Sequence, residues 1–92
     1  MTFTDELDLL YDEDDTYPCR FVGFIGKKSQ FDLVLIATDH FFGKTLVVCM
    51  QTQRSAVLSS QEAQDILHVA QAFHLTEEEA QEASAFLTAN LP

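Results

Sequence analysis

Two neighbouring segments, Phe31-Asp-Leu-Val-Leu-Ile-Ala-Thr38 and Lys44-Thr-Leu-Val-Val-Cys-Met-Gln51, place apolar side chains on both sides of an extended backbone. In the first, Phe31, Leu33, Leu35 and Ala37 point one way and Val34 and Ile36 the other. In the second, Leu46, Val48 and Met50 oppose Val47 and Cys49. An antiparallel sheet with one wet face alternates apolar and polar residues, and these two strands do not. Whatever this chain folds into must therefore cover the sheet on both faces.

The flanking segments extend the sheet. Cys19-Arg-Phe-Val-Gly-Phe-Ile-Gly26 is aromatic and β-branched and closes on Gly26 before a polar Lys27-Lys-Ser-Gln30 turn. Thr52-Gln-Arg54 is short enough for a hairpin into a fourth strand, Ser55-Ala-Val-Leu58. Short links make sequential strands antiparallel neighbours. Two helices follow. Ser59-Ser-Gln-Glu62 has capping-box form, with Ala63, Ile66, Leu67 and Ala70 on one face; Thr76-Glu-Glu-Glu79 repeats the device before Ala80, Ala83, Phe86 and Leu87. The expected fold class is α+β, a four-stranded antiparallel β-meander followed by two C-terminal helices. At 92 residues the chain has room for one core, so residues 1–92 are expected to form a single domain: an acidic segment 1–18, the meander 19–58 and the helical pair 59–90. In the first segment, Phe3, Leu7, Leu10 and Tyr11 fit a helical face, while Leu7–Tyr11 equally fits a short edge strand.

Two short helices cover one face of such a sheet. The second face needs the N-terminal segment, curling towards a barrel, or a second copy. Twofold dimers are the commonest oligomers, and a homodimer through that face is the expectation.

Charge is distributed unevenly. Residues 1–19 hold Asp5, Glu6, Asp8, Asp12, Glu13, Asp14 and Asp15 with no base, for −7. Residues 20–58 carry +3, with five bases against Asp32 and Asp39, and residues 59–92 carry −6 with no base, for a net −10. Acidic ends that fold back on the basic middle explain this layout without any partner; a bipolar docking surface is the functional alternative.

The chemistry of the chain points away from catalysis. His68 and His74 are six residues apart and share no helix face, and the sequence has no CxxC or HExxH, so neither metal nor cofactor is expected. Asp12-Glu-Asp-Asp15 lacks the glycine and distal glutamate of an EF-hand loop. Cys49 is embedded in Leu46-Val-Val-Cys-Met50, where apolar surroundings disfavour the thiolate. There is no GxSxG, P-loop or GxGxxG, so no catalytic residue is assigned and no enzyme is expected. Phosphate repels a −10 chain, and an acidic Thr76-Glu-Glu-Glu79 is unsuited to a recognition helix, so no nucleic-acid partner is expected. No apolar run approaches a membrane span, and Met1-Thr-Phe-Thr-Asp-Glu has neither part of a signal peptide; a cytoplasmic protein without membrane contact is the expectation.

The candidate binding residues lie in Thr38-Asp-His-Phe-Phe-Gly-Lys44. Turn chemistry does not account for two adjacent phenylalanines. One folds back onto the core in the simplest case; whichever stays out, Phe41 or Phe42, is an anchor for a partner protein, with Asp39, His40 and Lys44 around it.

Leu10-Tyr-Asp12, Arg20-Phe-Val-Gly-Phe24, Phe31-Asp-Leu-Val-Leu35, Thr38–Lys44 and Leu75-Thr-Glu-Glu-Glu-Ala80 with Phe86-Leu87, together spanning roughly residues 9–88, resemble a small domain-of-unknown-function family. Arg54-Ser-Ala56 is less aromatic than that pattern. The resemblance implies short cytosolic proteins of Gram-positive bacteria and supplies no catalytic residue. The functional expectation is a non-enzymatic, dimeric protein-interaction or regulatory module. A ligand- or metal-binding protein with a pocket between sheet and helices is the first alternative, and an acidic nucleic-acid mimic the second.

Overall fold

The computed structural model describes residues 8–27 and 29–92. The expectations for Phe3 and Leu7, and for Lys28 in the first turn, lie outside the described residues. Four strands form one antiparallel sheet in sequence order: β1 (Cys19–Ile25), β2 (Gln30–Ala37), β3 (Thr45–Cys49) and β4 (Arg54–Leu58). Three helical segments follow: α1 (Ser60–Ala63), α2 (Ile66–Phe73) and α3 (Glu77–Asn90). The α+β meander read from the sequence is the observed architecture.

The core lies between the sheet and the helices. Phe31, Leu33 and Leu35 of β2, Val47 and Cys49 of β3 and Leu58 of β4 are buried against Ala63, Val69, Phe73, Ala80, Ala83 and Leu87. Phe24 stacks between Phe31 and Phe86, at centroid distances of 4.9 and 4.6 Å, which fastens the edge strand β1 to α3. Burying six large core side chains, Phe31, Phe73, Leu58, Leu87, Val47 and Val69, stabilises the fold by roughly 1.5–3 kcal/mol each, before the entropy of ordering them is subtracted.

The first expected helix departs from its reading. Residues 60–73 are broken at Gln64–Asp65, and Asp65 caps α2 by accepting the His68 backbone N–H at 3.2 Å. The new start resets the helical phase. Val69 and Phe73 turn inward, whereas Ile66 and Leu67 from the expected apolar stripe stay exposed, Leu67 at 67%. A real N-cap inside an apparently continuous apolar period outranked the period. The other two caps are as expected: Ser59 with Glu62, and Thr76 with Glu79, form complete capping boxes.

The C-terminal acidic stretch contacts the middle of the chain at three places, one of them an ion pair. Glu62 pairs with Lys44, Glu79 accepts from the Ser29 hydroxyl at 2.8 Å, and the Glu82 carboxylate accepts the Lys27 backbone N–H. Among the described residues no helix is long and apolar enough to cross a membrane.

Candidate functional site

Two surfaces concentrate unsatisfied chemistry: the link between β2 and β3, and the sheet face turned away from the helices.

In the link, Thr38 is extended and its hydroxyl accepts the His40 N–H at 3.1 Å, which starts a 3-10 turn over Asp39–Phe41. Phe42 follows in the left-handed conformation, φ 55° and ψ 45°, and Gly43 at φ 83°. The Lys44 N–H then donates to the Phe41 carbonyl at 3.1 Å and β3 begins. This reversal separates the two phenylalanines. Phe41 is half-buried, while Phe42 is 98% exposed.

The N-terminal segment meets this turn. The Tyr17 hydroxyl donates to Asp39 at 3.0 Å, the Tyr17 and His40 rings meet edge-on at 5.8 Å, and His40 Nε2 lies 3.1 Å from the Glu13 carboxylate. Partial desolvation and the bond to Asp39 hold the Tyr17 phenol above its ordinary pKa. Asp39, His40, Phe41 and Phe42 thus share one tip. Lys44 does not join them: its ammonium lies 3.2 Å from both Glu62 oxygens, turned towards α1. With that pair, the backbone N–H of Ser59 holds the Glu62 carboxyl below its ordinary range, the backbone bond being the larger cause.

The second surface is built by strand register. Cys19, Ile36, Leu46 and Val57 are paired neighbours in one row across all four strands. Phe21, Val34, Val48 and Ser55 form the next. Side chains in both rows point away from the helices by strand alternation. Val34, Ile36, Leu46, Val48 and Val57 are half-buried, and Phe21 is 82% exposed. Met50 and Ile25 extend the apolar area at 53% and 82%. Among the described residues the strands carry one charge on this side, Asp32, beside Gly23. Sequence reasoning found the apolar excess in β2 and β3 but missed that Cys19, Phe21 and Val57 complete it. Pairing register was the missing signal.

A small cavity of about 110 Å³ lies where β1–β3 meet the end of α3, lined among others by Arg20, Leu35, Thr45, Asn90 and Leu91. It is smaller than the roughly 300 Å³ that metabolite-sized ligands ordinarily occupy, whereas an open cleft of about 560 Å³ lies at the tip between Glu13, Asp15, Tyr17, Asp39 and His40. Among the described residues no cluster of three or more His, Cys, Asp or Glu is arranged to hold a metal ion.

No curated protein matches the chain. The model of one family, described as SAV0927-like, matches residues 10–89, from the middle of the acidic segment to the last turn of α3. Among the described residues that span contains the four strands, α1, α2, all of α3 but Asn90, and both surfaces, and the chain belongs to the SAV0927-like family.

Proposed function

We propose that the chain is a non-enzymatic protein-interaction module that works as a homodimer, with the open sheet face joining the two copies. One observation carries this reading: two complete rows across the sheet, Cys19–Val57 and Phe21–Ser55, are apolar but for one serine and lie opposite the helices. A monomer keeps such a face wet at a cost that sheet-on-sheet packing removes. The face measures roughly 20 by 20 Å from strand spacing and rise, so a pair buries on the order of 800–1,000 Å² in total. That is the range of weaker specific interfaces, and it implies association at micromolar concentration.

The β2–β3 tip lies beyond the strand ends and stays available in such a pair. Phe42 is the anchor there for a partner protein, flanked by Asp39 and His40.

Native mass spectrometry at tens of micromolar tests the reading. A dimer is expected for the natural chain, and a monomer with unchanged circular dichroism for Val48→Glu, which buries a carboxylate in any sheet-on-sheet pair. A natural chain that stays monomeric throughout the micromolar range sinks the proposal.

A further inference from the structure

Resting on that reading, the register specifies how the two copies meet. We propose that they pack sheet on sheet about a twofold axis that lies between the sheets and crosses the strands over the row Arg20, Leu35, Val47 and Ala56. Side chains of that row point to the helices, so the axis runs above bare backbone between the two apolar rows.

Rotation about this axis lays each apolar row on the other row of the second copy. Phe21 faces the partner's Cys19, Val34 the partner's Ile36, Val48 the partner's Leu46, and Ser55 the partner's Val57. A large side chain meets a small one at β1, aliphatic residues of similar size meet at β2 and β3, and Ser55 meets Val57 at β4. Summed volume across the gap is therefore similar over β1, β2 and β3, as close packing at about 10 Å sheet separation demands, and lower at the β4 edge. An isologous interface needs this self-complementarity.

The lone charge decides between this axis and its main rival. An axis parallel to the strands, between β2 and β3, also superposes the two sheets. It would set the two Asp32 residues one strand apart on facing sheets, near the interface centre, with no basic residue among the described strand residues of either face. The proposed axis instead places Asp32 three residues from the axis on one side and the partner's Asp32 equally far on the other. They are then about 20 Å apart along the strands, beyond the ~8 Å screening length at physiological salt.

Charge pairs introduced on the face distinguish the arrangements. Val34→Lys and Ile36→Asp are each expected to be monomeric alone and to form a mixed dimer when combined, about tenfold or more tighter than either self-association. Val34→Lys with Val48→Asp is expected to stay apart, because those positions face each other only under the strand-parallel axis. Phe21→Lys with Cys19→Asp repeats the test at positions exposed in a single copy, where the substitutions leave the core untouched. Native mass spectrometry of the mixtures reads the result. A mixed dimer from Val34→Lys and Val48→Asp, or none from either expected pair while the natural chain dimerises, overturns the axis and leaves the dimer standing. A monomeric natural chain removes the dimer itself.

Discussion

Phe42 combines two costs in one residue. It is a β-carbon-bearing aromatic in the left-handed region, where an L-residue is disfavoured by roughly 1–2 kcal/mol, and its ring is almost wholly in water. With its ring almost wholly exposed, Phe42 has no burial to offset that strain, while its neighbour Phe41 is half-buried beside the His40 ring. Phe42→Asn, with a side chain that tolerates the left-handed region, is expected to raise stability by about 0.5–1 kcal/mol in urea unfolding. It should leave the dimer mass unchanged and weaken capture of any partner that uses the tip. Unchanged or reduced stability would show that the Phe42 ring has a contact in solution that offsets its backbone strain. Which phenylalanine turns out was not legible in the sequence, because the choice rests on one backbone angle. Nor was the loss of Lys44 from the tip legible: Glu62, eighteen residues on, comes within reach only once α1 has packed.

At the scale of elements, the meander was legible because its strands are β-branched and aromatic runs separated by short polar links, so local preference and tertiary pairing agree. The helical end was legible at its caps and misread at the break, where the Asp65 cap was hidden inside a plausible apolar period. The capping glutamates themselves yield a prediction. Backbone N–H donation from Ser59 and Thr76 is the leading cause holding Glu62 and Glu79 below their ordinary pKa, with Lys44 and Ser29 adding to it respectively. A carboxylate lowered in the folded state stabilises the fold while pH stays above its unfolded value, about 4.3, and loses that contribution as pH falls through the folded value. Glu62→Gln and Glu79→Gln should therefore be less stable than the natural chain near neutrality and converge with it in acid. Urea unfolding over a pH series checks this. A stability gap that persists undiminished in acid would show that the glutamates act through packing and not through charge.

For the whole molecule, a net charge of −10 opposes any self-association, and a dimer doubles the charge held in one particle. The open face supplies apolar contact and its described strand residues carry one charge, Asp32, so added salt should tighten the proposed pair, severalfold between about 20 and 200 mM as the screening length shortens. Equilibrium sedimentation at the two salt concentrations reads the change; weakening by salt would mean that ion pairs, not the apolar rows, hold the copies together. The strand order itself has a consequence during synthesis. With every strand beside its sequence neighbour, contacts in the sheet are local and each hairpin closes a short loop. Yet Phe31, Leu33, Leu35, Val47 and Cys49 find their cover in residues 60–91, which follow the whole sheet in the chain. The nascent sheet is therefore wet on both faces until those residues have been made. Under the proposed dimer its two sides are then closed by different events, one by the chain's own helices within a single molecule and the other by an encounter whose rate depends on how many copies the cell holds.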